Sequence, residues 1–197
     1  MLPAVRTDEE WQAVVWDEQI VRPAAEDLAE RLGLTGAGLR RYPDGSRPVY
    51  AVGGRRVLKL YPTVSAPDGV TEAGVLEYLA GGRLPVATPE LLAHGEYENG
   101  WRYVLMSQLP GTDLAVAWPA IPGPDRDRVV SEAGELLAGL HGLDPGPLRG
   151  GPRPGRLERL PVRYRLERGQ LRLGLWLRRP SSRWGPRRVA RTARAAG

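Results

Sequence analysis

Apolar positions near the start of the chain recur with helical spacing. Trp11, Val14 and Val15, then Ile20 and Val21, mark one face, and Ala24, Leu28 and Leu32 continue it. Thr7 or Asp8 suits an N-cap, and Glu9 and Glu10 lie favourably in a first turn. Pro23 fits the opening of a second helix that Gly33 ends. After residue 38 the period changes. Residues 39–42, 49–52 and 56–61 read as strands, separated by Pro43-Asp44-Gly45-Ser46 and by the hairpin pair Gly53-Gly54. Three short strands in such close succession make an antiparallel meander. Pro67-Asp68 opens a helix to about Leu79, with Val75, Leu76 and Leu79 inward, and Gly81-Gly82 closes it. Residues 91–95 and 101–109 flank Glu98-Asn99-Gly100 as a second hairpin, which Pro110-Gly111 ends. Val129, Val130, Ala133, Leu136, Leu137 and Leu140 then stripe a helix over 125–143. The fold class predicted is α+β: a five-stranded antiparallel sheet with one inserted helix, N-terminal helices before it and a helical segment after it.

Composition narrows the chemistry. The 197 residues include no cysteine, so disulfide scaffolds and thiolate metal sites are excluded. His94 and His141 are the only imidazoles, which argues against a zinc enzyme. Asp8, Glu9 and Glu10 break any signal-peptide pattern, and Pro119 interrupts the nearest apolar run, so a cytoplasmic protein without membrane partners is expected. The net charge of +5 averages two unlike pieces. Residues 1–148 hold 13 basic and 21 acidic side chains, net −8, whereas residues 149–197 hold 15 and 2, net +13. The division expected is a helical extension over 1–37, a lobe over 38–111, a linker and start of a helical lobe over 112–148, and a basic segment over 149–197.

One residue stands apart. Of 28 basic residues, 27 are arginine and one is lysine, Lys59. A position that keeps lysine in such a chain calls for a compact ammonium on a flexible stem. Lys59 lies on the third strand, and on a packed sheet face it needs a partner. Glu72, on the helix that follows, is placed to supply one. An ammonium so held faces the cleft beneath the sheet and can meet phosphate oxygens. The polar turn between the first two strands would cover those phosphates. The strand ending in Met106-Ser107-Gln108-Leu109 would offer backbone N–H and C=O groups to a planar base. Such an arrangement suits ATP.

Several stretches carry a family likeness. Val57-Leu58-Lys59-Leu60-Tyr61, Glu72-Ala73-Gly74-Val75-Leu76, residues 84–89 (LPVATP), residues 103–111 (YVLMSQLPG) and residues 138–143 (AGLHGL) resemble, in order and spacing, the aminoglycoside phosphotransferase family, and within it the hygromycin-B kinase-like subgroup. The resemblance covers residues 39–144 and implies the N-terminal lobe of a protein-kinase-like fold. It implies transfer of the γ-phosphate of ATP, with Mg2+, to a hydroxyl of an aminoglycoside antibiotic or similar small molecule. Carried over residue by residue, Lys59 resembles the lysine of the α- and β-phosphates and Glu72 its helix partner, with Glu77 the fallback. Gly45 and Ser46 occupy the phosphate-covering turn, although it departs from the G-x-G-x-x-G of protein kinases. Val49 and Val57 resemble the apolar roof over adenine, a role that simple core packing would equally explain. Met106, Ser107, Gln108 and Leu109 resemble the linker that hydrogen-bonds the base.

The family's catalytic loop, a His-Gly-Asp with an Asn five positions after the Asp and a second metal-binding Asp beyond, has no counterpart by sequence. In His141-Gly142-Leu143-Asp144 a leucine intervenes, and His94-Gly95-Glu96 has no suitable Asn downstream; Asn99 is the only one in the chain. No Asp, Asn, His or Lys occurs from Arg149 onward. No catalytic residue and no metal ligand is therefore assigned, and a truncated, impaired relative is expected. Arg, Gly, Pro, Leu and Ala supply 38 of the last 49 residues, all with GC-rich codons available, which suggests a shifted reading frame or an early stop. A disordered segment is the expectation for 149–197. Alternating Val162, Tyr164 and Leu166, then Leu171, Leu173, Leu175 and Leu177, would also suit a hairpin. Arginines with Tyr164, Trp176 and Trp184 would hold nucleic acid weakly. A non-catalytic nucleotide-binding module and a basic nucleic-acid-binding protein are the alternative functions.

Overall fold

A computed structural model of the chain describes residues 1–43, 45–149 and 176–177. The first helix, α1, spans Asp8–Val14. Its cap is Thr7, in a reciprocal box: Glu10 N–H donates to Thr7 Oγ1 at 3.2 Å, and Thr7 N–H donates to Glu10 Oε2 at 3.2 Å. Helix α2 spans Glu18–Arg31 and is capped by Asp17, whose Oδ1 accepts from Gln19 N–H at 2.9 Å. The break between these helices therefore falls at Trp16-Asp17. Pro23, expected at the opening of the second helix, lies inside it. A free acidic cap with its own acceptor outweighs the preference of proline for the first turn.

Strands β1 (Leu39–Arg41), β2 (Val49–Val52) and β3 (Arg56–Tyr61) form the meander, and helix α3 (Ala66–Leu79) follows. Strands β4 (Leu91–Glu96) and β5 (Arg102–Ser107) make the second hairpin. The five strands pair antiparallel in the order β1-β2-β3-β5-β4. Gly53 and Gly54 both take positive φ, at 60° and 68°, as the tight β2–β3 connection demands. In the second turn Asn99 takes φ 53°, a value that asparagine tolerates better than most residues.

Strand alternation sorts the sheet into two faces. Leu58 and Leu60 of β3, Tyr50 and Val52 of β2 and Leu105 of β5 face a core shared with Val14, Val21, Ala25 and Leu28 of the first two helices. Trp101 closes it, fully buried, with its ring 6.2 Å from that of Trp11 and its Nε1–H donated to the Pro3 carbonyl at 2.7 Å. The opposite face packs on α3: Tyr61, Val104 and Met106 meet Ala73 and Leu76, with Val57 and Leu91 at the margin. Ala73, not Val75, takes the inward place beside Leu76 and Leu79. A small side chain is what lets the helix approach the sheet there.

Helix α5 spans Gly123–His141. None of its residues is buried, and Val130, Leu137 and Leu140 of the predicted stripe stand open to solvent. The described residues supply no layer to cover that face. A second compact unit contains β6 (Thr112–Asp113), the short helix α4 (Leu114–Ala117) and β7 (Trp176–Leu177), with β6 and β7 paired antiparallel. Its helix is capped by Asp113, whose Oδ1 accepts from Ala115 N–H at 2.7 Å. Apart from Arg149 and β7, the readings of the basic segment as disordered, hairpin-forming or frameshifted lie outside the described residues.

Candidate functional site

The site is assembled on the α3 face of the sheet. Val49 is registered opposite Lys59, Ala51 opposite Val57, and Met106 opposite Val57 from the other side. Directly opposed residues share a face, so Val49, Ala51, Val57, Lys59, Tyr61, Val104 and Met106 all project to the side where α3 lies. Lys59 thus sits among apolar neighbours, with Val49 and Val104 directly opposite it. Its Nζ lies 2.5 Å from Glu72 Oε1, and the two side chains remain 29% and 28% exposed. The pair is sheltered enough to stay directed and open enough to meet a ligand.

Glu72 is held from a second direction. Tyr61 lies two residues beyond Lys59 on the same strand, hence on the same face, and its hydroxyl donates to Glu72 Oε2. Burial, with the negative charge of Glu72 close by, pushes the Tyr61 phenol well above the usual 10, so it stays a neutral donor. Helix spacing explains the convergence: Asp68, Gly69 and Glu72 lie within one turn and look the same way. Asp68 forms an ion pair with Arg47, whose guanidinium carbon stands 5.1 Å from the centroid of the Tyr61 ring. Glu77 is not brought to Lys59. It is exposed, with Oε1 3.8 Å from His94 Nε2.

Gly45 and Ser46 sit exposed in the turn between β1 and β2, Gly45 with φ 120°. Val49 and Val57 are half-buried. Val57 packs at the margin of the α3 core, so it belongs to both packing and the open face. Met106 is buried in that core. The linker that follows has its donors divided. Ser107 N–H donates to the Glu90 carbonyl at 2.8 Å, and Gln108 N–H donates to the Arg55 carbonyl at 2.8 Å. The N–H of Leu109 makes no hydrogen bond among the described residues. Gln108 Oε1 is buried without a partner among the described residues.

Arg47, Tyr61 and Asp68 were not singled out by sequence. Two signals could have found the last two: the i+2 position of Tyr61 after Lys59, and the i−4 position of Asp68 before Glu72. No comparable spacing signals Arg47, because its contacts are made across the fold.

Among the described residues no three Asp, Glu or His side chains come together as a metal site. Asp144, at the end of the segment that partly resembles the catalytic loop, is a local cap: its Oδ1 accepts from Gly146 N–H at 3.0 Å and pairs with Arg149 at 3.2 Å. No metal ligand is therefore assigned among the described residues. No helix among them is long and apolar enough to cross a membrane.

Comparison with known families decides the ancestry of this arrangement: the phosphotransferase enzyme family (APH) matches residues 38–195. The chain belongs to that family. The match takes in the arginine-rich segment, beyond residue 144 where the resemblance read from motifs stops. Comparison with the curated proteins returns no match. Among solved structures, this phosphotransferase-family chain is similar to the GDP complex of wild-type aminoglycoside 2'-phosphotransferase-IIIa, at 16% identity and a TM-score of 0.53. It is also similar to the GDP and kanamycin complex of APH(2")-IIia, at 17% identity and a TM-score of 0.54. Each likeness covers 64% of this chain and 43% of the other, so the chain spans less than half the length of those phosphotransferases. The fold is that of the kinase-like N-terminal lobe of the aminoglycoside phosphotransferases.

Proposed function

We propose that this lobe binds ATP and serves the nucleotide half of an O-phosphotransferase acting on an aminoglycoside or a similar small hydroxylated molecule. The carrying observation is the Lys59–Glu72 pair, 2.5 Å apart on the open sheet face beside α3. A carboxylate that holds the ammonium without burying it leaves two N–H donors for phosphate oxygens. Val49 and Val57 supply an apolar roof for the base, and the Leu109 N–H with the Ser107 carbonyl supplies a hydrogen-bonding edge. Gly45 and Ser46 cover the phosphates. The nucleotides in the two solved relatives and the kanamycin in one of them support the ligand classes.

In such a reaction Mg2+ would neutralise charge on the transferring phosphoryl group, and no ligand for it is assigned among the described residues. What they do is bind and orient the nucleotide. Because none of the described residues forms the family's His-Gly-Asp loop with its downstream Asn, we expect binding with turnover impaired relative to complete phosphotransferases. Binding without any turnover, as a nucleotide-binding module, is the second reading, favoured by that same lack among the described residues.

Calorimetric titration with ATP, beside a turnover assay, tests both. The Lys59→Ala variant should lose about 10- to 100-fold in ATP affinity, the range for a charge-assisted phosphate contact. Equal affinity in the intact chain and the variant overturns the proposal. Turnover separates its enzymatic form from the module.

A further inference from the structure

Between β1 and β2 the chain makes a short excursion whose base is closed by Tyr42 N–H donating to the Val49 carbonyl at 2.9 Å. Gly45 and Ser46 lie exposed in it, and a Cβ on Gly45 would meet nothing within 4 Å. Pro48 at the foot of the turn is fully buried and its carbonyl accepts from Leu60 N–H at 3.0 Å, but the tip at Gly45 and Ser46 is so lightly packed that it lacks a hold of its own over a ligand. Arg47 supplies one. Its guanidinium pairs with Asp68 in the first turn of α3 and lies over the Tyr61 ring, 5.1 Å from the centroid. That ring carries the hydroxyl that holds Glu72 Oε2, while Glu72 Oε1 holds Lys59. The two side chains of the Arg47–Asp68 pair are 31% and 37% exposed. A partly exposed ion pair of this kind contributes little to global stability, so its geometry, more than its energy, asks for an explanation.

We propose that Arg47 is a positioning residue for nucleotide phosphate: it latches the turn residues Gly45 and Ser46 to α3 through Asp68 and steadies Tyr61, so that the turn and the Lys59–Glu72 pair work as one unit. This rests on the nucleotide reading above. Arg47 acts on the ligand through the turn and through Tyr61, not by chemistry of its own. A planar guanidinium suits both tasks at once, since it can donate to a carboxylate in its plane and cover an aromatic ring with its face. Lysine could keep the ion pair but not the stacking.

The experiment measures affinity for ATP and for adenosine in the intact chain and in Arg47→Ala, Arg47→Lys, Lys59→Ala and the Arg47→Ala/Lys59→Ala double variant. Arg47→Ala should weaken ATP binding about tenfold and leave adenosine binding unchanged, with the melting temperature within about 4 °C of the intact chain. Arg47→Lys should recover part of the loss. Because the two cations are linked through Tyr61 and Glu72, the double variant should lose less than the product of the single losses. Unchanged ATP affinity in Arg47→Ala overturns the proposal. So does an equal loss for ATP and adenosine, which marks a merely structural role, and so do fully multiplicative losses in the double variant. If Lys59→Ala weakens ATP but Arg47→Ala does not, only the latch fails. If the intact chain binds ATP no better than Lys59→Ala, the nucleotide reading fails and the latch with it.

Discussion

Gly69 of α3 lies directly against the ring of Tyr61: a Cβ placed on it would stand 3.0 Å from Tyr61 Cδ2 and 3.1 Å from Cγ. The ring is 1% exposed and tied through its hydroxyl to Glu72, one turn along the same helix. It therefore has little room to give way. Glycine at this place sets how closely α3 approaches β3, and so whether Glu72 reaches Lys59.

Gly69→Ala puts two effects in opposition. Alanine favours the helix by about 1 kcal/mol, whereas overpacking against a fixed ring costs about 1–3 kcal/mol. The expected result is a lower melting temperature together with weaker ATP binding. A rise in melting temperature with unchanged ATP affinity would show that the ring moves freely.

The choice between the two acidic residues of α3 is open to a direct test. Glu72→Gln keeps an acceptor for Tyr61 but removes the charge that directs Lys59. ATP affinity should fall about tenfold, while Glu77→Gln should match the intact chain. Equal effects in both variants would remove the distinction that the geometry draws.

Three tyrosines donate their hydroxyls to carboxylates: Tyr50 to Glu18, Tyr61 to Glu72 and Tyr97 to Asp27. Burial, then the neighbouring carboxylate, raises each phenol above its usual value of 10. The folded state thus keeps a proton that the unfolded chain releases near pH 10. Stability from these groups is fully present below pH 10 and declines as the pH rises beyond it. For the buried Tyr61 the limiting slope is about 1.4 kcal/mol per pH unit. Urea unfolding at pH 8, 10 and 11 should show the decline, and Tyr61→Phe should flatten part of it. At the acid end the sign reverses. Burial works against the Glu18 carboxylate, but hydrogen bonds from Arg41 and Tyr50 hold it below its usual value of 4.5, so its contribution disappears as the pH falls below that range.

The basic segment gives a separate expectation. With 15 basic against 2 acidic residues over 149–197, the intact chain should bind single-stranded nucleic acid at low salt and release it steeply as salt rises. Removal of that segment should abolish the binding, and Lys59→Ala should leave it intact. Binding that survives the deletion would assign it to the lobe instead.

Much of the lobe was legible from local pattern. Period-2 alternation and the pairs Gly53-Gly54 and Asn99-Gly100 locate five strands and their turns, because these signals arise within a few residues of one another. The Lys59–Glu72 pairing was legible too, since a lone lysine on a strand and an acid on the next helix suggest each other. The break between α1 and α2 was misplaced at Pro23, because the Asp17 cap competes successfully with the proline preference. The α5 stripe was read correctly as a pattern but implied a burial that the described residues do not provide.

The amino-acid order by itself determined the strands, the turns, the family and the ammonium at the centre of the site, all consequences of short-range sterics, alternation and residue choice. Only the tertiary structure decided that Tyr61 shares the Glu72 carboxylate with that ammonium and that Arg47 ties the turn to α3. Those contacts depend on how a helix settles on a sheet, and that distance is set by a missing Cβ at Gly69 and a buried ring opposite it, a relation between residues that no periodicity along the chain records.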